Sequence, residues 1–413
     1  MSQSLQIFMA RQPIFDRKRN VFGYELLFRS GLENFFRHDN LDEASSHVIT
    51  TSSMVFDLGT VTGKRKAFVN LTRTVLLSDS VTLLPADTTV VELLESIQAD
   101  EEVLAVCQRL KSLGYQIALD DFVYTESNSS LLTLADIVKV DFLQSDEATQ
   151  ASLVDRVGPL GIRLLAEKVE TQEDFTRAVK MGYDYFQGYF FARPEIISRK
   201  DIPAVQLNNL QLLREIHHPS LNIARLEELL KHDVSLSYKL LRYINSAFFG
   251  WKVEIRSVRH ALVLLGDKEV RKWATLVALA NIAVEKPREL MVQAVFRARF
   301  LETLAPLVGM KDRAQDLFLM GLFSLSDAIV DRPAAEILSD IPIAADAKMA
   351  LVEGKGHLKG VLDICLSYEK ADWDNLSHVA STLLVSEEGL PQLYLDATEW
   401  ARVGLQDVEG DAP

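Results

Sequence analysis

Thr88-Thr-Val-Val-Glu92, Gln116-Ile-Ala-Leu-Asp120-Asp121 and Asp136-Ile-Val-Lys139-Val-Asp141 decide the fold. Each is a short run of β-prone residues that ends on charge, and the stretches between them are long enough for a helix. That pattern predicts buried parallel strands in successive βα units. A charge at the end of a buried strand is costly, so three in succession predict that the strand ends converge on something ionic.

The pattern continues on both sides. Val21-Phe-Gly-Tyr-Glu25-Leu-Leu27 and Lys66-Ala-Phe-Val-Asn70 lie upstream, and Ile162-Arg-Leu-Leu-Ala-Glu167 and Tyr183-Asp-Tyr-Phe-Gln187 lie downstream. Seven such runs with polar C-terminal ends fit a TIM-like (β/α) barrel, whose active site lies at that face. A doubly wound sheet competes, but it draws its ligands from fewer strands and usually carries a Gly-rich phosphate turn. Neither G-x-G-x-x-G nor a P-loop occurs in the sequence. Before Val21, Met9–Asp16 and the basic turn Arg17-Lys-Arg-Asn20 predict a hairpin that closes the bottom or edge of the barrel. Residues 40–59 predict a helix, and residues 100–113 another, with Cys107 in its core face and Gly114 as its stop.

The chain has 413 residues, 48% of them hydrophobic and 25% charged, the range of a globular chain of two to three domains. Cys107 and Cys365 are its only cysteines and form no metal-type spacing, which predicts a reducing, cytoplasmic setting. No signal peptide is visible, and the longest apolar helix candidate, Trp273 to Val284, is too short to span a bilayer. A net charge of −14 argues against general nucleic-acid binding, which needs a basic face. An acidic chain can still take a phosphate ligand where divalent cations supply the positive charge.

Glu25-Leu-Leu-Phe-Arg29, Asn70, Glu92-Leu-Leu-Glu95, Asp120-Asp121-Phe122, Lys139-Val-Asp141, Glu167-Lys-Val-Glu170 and Phe186-Gln187-Gly-Tyr-Phe-Phe-Ala-Arg-Pro194 together resemble the ordered motif set of EAL domains. The resemblance implies a phosphodiesterase that hydrolyses the bacterial second messenger cyclic di-GMP to linear pGpG. It implies Mg²⁺ or Mn²⁺ on the hard oxygen ligands Glu25, Asn70, Glu92, Asp120 and Asp121. By the same resemblance Glu167 is the general base, Lys139 orients water or neutralises phosphate charge, and Glu170 completes the catalytic set. Arg29, Leu27, Gln187 and Asp141 then contact substrate, and Glu95 supports the loop. Taken singly these residues keep bland alternatives: a helical Glu25–Arg29 ion pair, a solvated Glu92–Glu95 face, or a pair of Lys139 with Asp141 or Asp136.

Three positions depart from the family's pattern, the first being Leu26, a conservative replacement for the alanine of its name motif. Lys168 stands where its Glu-Gly has glycine, which puts an extra ammonium beside the metal centre, and Val123 stands where its Asp-Asp-Phe-Gly loop has glycine. A β-branched residue cannot take a glycine's positive φ cheaply. The departures predict slow turnover, or in the competing account a catalytically silent scaffold for ligand or protein binding.

From Asp201 onward the apolar spacing is helical throughout, with breaks at His218-Pro-Ser220, Phe249-Gly250 and Leu265-Gly-Asp267. Asp233-Val-Ser-Leu-Ser-Tyr-Lys-Leu-Leu-Arg-Tyr-Ile-Asn245-Ser-Ala-Phe-Phe-Gly250 and Ile255-Arg-Ser-Val-Arg-His-Ala261-Leu-Val-Leu-Leu-Gly266 resemble the all-α HDOD domain. That domain is related to HD phosphohydrolases, but Gly321-Leu-Phe-Ser-Leu-Ser-Asp327 lacks the catalytic His-Asp pair. The literal pair His232-Asp233 is more simply a helix start with Asp233 as N-cap. The HDOD resemblance implies a regulatory module with a protein partner, while the EAL resemblance, whose loop after Asp121 couples metal binding to dimerisation, allows a homodimer. The expected division is an EAL barrel over 1–197, an HDOD domain over 198–407 and a disordered tail over 408–413.

Overall fold

Side chains alternate along a strand, so a residue and its second neighbour share one face. In the computed structural model that rule builds the barrel. The structure describes residues 7–30, 58–192, 212–213, 216, 223–231, 240–241, 243–245 and 255–409, apart from 256, 284, 285 and 342. The expected helix over 40–59 therefore lies almost wholly outside the described residues, as do His217, His218, His232 and Asp233.

Eight strands close the barrel in sequence order. They are β1 (Ile7–Asp16), β2 (Val21–Ser30), β3 (Lys66–Leu71), β4 (Thr89–Leu93), β5 (Gln116–Leu119), β6 (Ile137–Asp141), β7 (Arg163–Glu167) and β8 (Tyr185–Gln187). The seven expected runs became β2 to β8. The expected hairpin supplies β1, which is antiparallel to both β2 and β8, while β2 to β8 pair in parallel. Its turn is held by Asp16, whose Oδ1 accepts from the N–H groups of Lys18 and Asn20 at 2.8 and 2.9 Å.

One layer of the interior is apolar: Ile14, Phe68, Val90, Ala118, Ile137 and Leu165 pack together, with Phe22 and Tyr185 against them. Phe22 and Tyr185 stack at 4.1 Å between ring centroids. Gly23 makes room for this layer, since a Cβ there would lie 2.7 Å from the Lys66 carbonyl oxygen and 3.1 Å from the Phe68 ring. Two residues further along each parallel strand stand Glu25, Asn70, Glu92, Asp120, Lys139, Glu167 and Gln187. On antiparallel β1 the corresponding step runs backward, from Ile14 to Gln12. A polar layer thus lies one strand period above the apolar one.

The expected helix near residue 100 is Glu101–Ser112, capped by Asp100 accepting from the Val103 N–H, and Gly114 follows at φ +93°. Cys107 is fully buried in it, and burial pushes its thiol up to about 11, so it is a core residue.

By packing, the chain divides into two compact units. The first comprises Met1–Arg193 with Leu366–Thr382 and Ser386–Pro391; the second comprises Pro194–Cys365 with Leu383–Val385 and Gln392–Pro413. The second is helical among its described residues. Gly266, at φ +72° and ψ +166°, breaks Val258–Ile282 where a break was expected. Arg288–Leu304 and Ala314–Phe323 approach closely at Gly321, where a Cβ would lie 2.5 Å from the Arg297 backbone. The last helix, Leu390–Glu409, includes Val408 and Glu409 of the expected tail; residues 410–413 lie outside the described residues. Among the described residues no helix is long and apolar enough to cross a membrane.

Candidate active site

Lys139, 1% exposed on β6, is the centre of the polar layer. Its Nζ lies 2.8 Å from Asp120 Oδ1, 2.8 Å from Glu167 Oε1 and 3.6 Å from Glu25 Oε1, and it is in ion-pair contact with Glu92. Four strands supply the carboxylates and a fifth the ammonium, which no pair of residues close in sequence could do. The local Lys139–Asp141 pair therefore does not form; period 2 puts both on one strand face, but Lys139 is taken by the layer.

Burial works against the Lys139 charge, but the surrounding carboxylates outweigh it and hold its ammonium well above the usual range. Burial likewise pushes Glu25 up, yet Lys139 and hydrogen bonds from Gln187 and Asn70 keep it below the usual carboxylate range. For Glu92 burial wins, with Lys139 opposing it and the charges of Glu25 and Asp120 adding to it, so its carboxyl is well raised. Burial also pushes Glu167 up, to about 7. One ammonium thus faces four carboxylates.

A second strand of contacts fixes Glu25. Asn70 Nδ2 donates to Glu25 Oε1 at 2.9 Å, and Gln187 Nε2 donates to Glu25 Oε2 at 2.6 Å and to Gln12 Oε1 at 2.9 Å. Gln12, directly opposite Glu25 in the β1–β2 register, was missed by sequence reasoning. The signal was its place in the alternation Phe8, Ala10, Gln12, Ile14. Glu25 and Arg29 both lie on β2, which excludes the helical ion pair; the Arg29 side chain lies outside the described residues.

The neighbouring acids play other parts. Asp121 follows β5 at φ +42°, and burial together with the Asp120 charge raises its carboxyl, with Lys168 opposing. Asp141 Oδ1 accepts from the Leu143 and Gln144 N–H groups at 2.7 and 3.0 Å, while Oδ2 pairs with Lys168. Lys168 itself stands at φ +53°, a left-handed conformation that costs a side chain roughly 1 kcal/mol. Val123 is 67% exposed and is not among the described residues with positive φ, so the expected strain falls at Asp121 and Lys168. Glu170 is half-buried just beyond β7, Leu27 is half-buried on β2, and Glu95 is exposed on the turn after β4. That exposure separates Glu95 from the fully buried Glu92, so the two do not form a solvated face.

Several buried oxygens in and beside the layer accept no hydrogen bond: Asn70 Oδ1, Glu92 Oε2, Asp121 Oδ1 and Gln187 Oε1, while Glu92 Oε1 meets the Lys139 ammonium. Buried polar atoms are nearly always satisfied, so their clustering marks a place built for a further positive group. The donors are hard oxygens, which suit Mg²⁺ or Mn²⁺. Among the described residues no three Asp, Glu, His or Cys side chains converge as preformed ligands; the Lys139 ammonium stands between them instead.

The EAL domain family matches residues 64–194 and the HDOD domain family residues 202–329. The chain is 34% identical over 398 residues to the cyclic di-GMP phosphodiesterase CdgJ of Vibrio cholerae, covering 96% of this chain and 92% of that protein. It is 31% identical over 404 residues to the uncharacterized protein YuxH of Bacillus subtilis, covering 96% and 98%. The crystal structure of an EAL domain protein from Listeria monocytogenes is 25% identical and covers 45% of this chain and 87% of that one, with a TM-score of 0.37. With the two domain matches in order and relatives aligned almost end to end, the chain belongs to the EAL–HDOD family.

Proposed function

We propose that the barrel is a metal-dependent phosphodiesterase that hydrolyses cyclic di-GMP to linear pGpG. The observation that carries this is the cluster of orphaned oxygens around a layer where one ammonium faces four carboxylates. CdgJ, aligned over almost its whole length, is named a cyclic di-GMP phosphodiesterase.

Glu25, Asn70, Glu92, Asp120 and Asp121 would hold Mg²⁺ or Mn²⁺. When bound, the cations supply the charge that activates water and steadies the phosphoryl oxygens during in-line displacement. Glu25 is oriented from two sides, by Asn70 and Gln187, so its oxygens are aimed before any ligand arrives. Glu167 takes the proton of the attacking water, and a carboxyl poised near 7 is matched to that task. Water adds to phosphorus, the bond from phosphorus to one ribose 3′ oxygen breaks, and that oxygen takes up a proton, balanced by the one Glu167 accepted and gives back, to leave as the 3′ hydroxyl of pGpG. Lys139 offsets negative charge beside the reacting phosphate, and Glu170 completes the set. Arg29, Leu27, Gln187 and Asp141 contact substrate, Arg29 by the fixed fork of its guanidinium.

The pairing of Lys168 with Asp141 favours slow turnover, because it holds a proposed substrate group and adds a cation beside Asp121. The HDOD half, with Ser326 before Asp327 in place of a catalytic His, is proposed as a regulatory module for a protein partner. Chromatography of cyclic di-GMP incubated with the protein and Mg²⁺, Mn²⁺ or EDTA tests the reaction. The expected product is pGpG with either metal and none with EDTA; GMP as the first product, or intact substrate throughout, counts against it.

A further inference from the structure

β1 runs ten residues and β8 three, and they pair only over Ile14–Asp16. The part of β1 that carries Gln12 therefore has no strand beside it on the β8 side among the described residues. An open strand edge is normally covered. Leu366–Thr382, far along the chain but in the same compact unit as the barrel, packs against β1 at Phe8.

Tyr368 and Trp373 pack on Phe8, with ring centroids 6.2 and 6.1 Å away, and on each other at 5.3 Å. The three rings are buried. Lys370 Nζ lies 5.3 Å from the ring centroid of Tyr189, which opens the turn that follows β8. One short segment thus grips both banks of the seam. Phe8 shares its strand face with Gln12, which bonds Gln187 and through it Glu25. This segment lies outside both domain matches, 64–194 and 202–329.

We propose that Tyr368, Lys370 and Trp373 are positioning residues of the barrel site, closing the β1–β8 seam so that Gln12 and Gln187 hold Glu25 in place. The inference rests on Glu25 being a metal ligand. It makes residues beyond the HDOD match part of the phosphodiesterase.

The test uses the full chain, with binding of Mn²⁺ alone read by calorimetry beside cyclic di-GMP turnover. Losing an outer support of a metal ligand typically weakens affinity 10- to 100-fold, and for this more distant support Trp373→Ala is expected to weaken Mn²⁺ binding roughly five- to ten-fold. Trp373→Phe should restore most of the affinity, and Lys370→Ala should show a smaller loss. In turnover, kcat should fall while KM changes less. Asp374→Ala, exposed in the same segment, should match wild type. If circular dichroism shows that Trp373→Ala does not fold, the exposed Lys370 carries the test. Folded variants with wild-type Mn²⁺ affinity overturn the proposal. A wild type that binds no Mn²⁺ overturns the assignment of Glu25 and the proposal with it. A wild type that binds Mn²⁺ but leaves cyclic di-GMP intact overturns only the substrate, and the affinity comparison still decides.

Discussion

Lys139 shows how a single residue sets the charge balance of the interior. Its ammonium is buried among Glu25, Glu92, Asp120 and Glu167, and breaking such a network by removing one partner typically costs about 3–5 kcal/mol. Lys139→Ala should lower the unfolding temperature of metal-free protein accordingly, and added Mn²⁺ should recover part of the loss. An unchanged transition without metal would contradict the central role of this charge. The raised carboxyls of Glu92 and Glu167, the latter at about 7, have a second consequence. Protons on these raised carboxyls oppose cation binding beside them, so Mn²⁺ affinity should rise as pH increases through about 7, with protons released on binding. Calorimetry at pH 7 in two buffers of different ionisation enthalpy measures that release, and identical heats in both would count against it. Most of these residues were legible in the sequence, because a charge closing an apolar strand has few structural explanations. Gln12 was not, since an uncharged amide in a hairpin strand gives no such contrast.

Among the elements, the strand ends were easier to foresee than the loops that follow them. Strand burial imposes a period of two, and each expected run landed within a few residues of an observed strand. Loop conformation depends on single φ angles: the strain expected at Val123 is absent there, and the left-handed residue is Lys168, where only an added ammonium was expected. The two sites make a sharp comparison. Lys168→Gly relieves a left-handed side chain and frees Asp141 from its ammonium, so it should raise turnover several-fold and leave stability within about 1 kcal/mol of wild type. Val123→Gly, at an exposed position without positive φ, should change turnover little. Steady-state rates of the two variants decide the matter, and a gain at Val123 with none at Lys168 would reverse the account.

At the scale of the whole molecule, motif order and packing divide the chain differently. Motifs place the end of the barrel domain near residue 197, whereas the compact unit that holds the barrel also takes in Leu366–Thr382. No local pattern could have announced this, because Tyr368 and Trp373 look like ordinary helix-core residues until Phe8 is found beside them. A fragment ending at residue 197 lacks that packing. Its melting temperature should fall several degrees below that of the barrel in the full chain, since each kcal/mol is worth about 2–4 °C in a domain of this size. Equal melting temperatures would mean that the barrel is complete without the segment.

The central claim is that the polar layer of the barrel turns over cyclic di-GMP, and its most direct test is the rate of hydrolysis by the full chain in Mn²⁺ beside that of Glu25→Ala. The account predicts product from wild type and a rate at least 100-fold lower in the variant, about the size of an outright loss of a metal ligand's support. Equal rates in the two proteins, or no product from wild type with either Mn²⁺ or Mg²⁺, would contradict it.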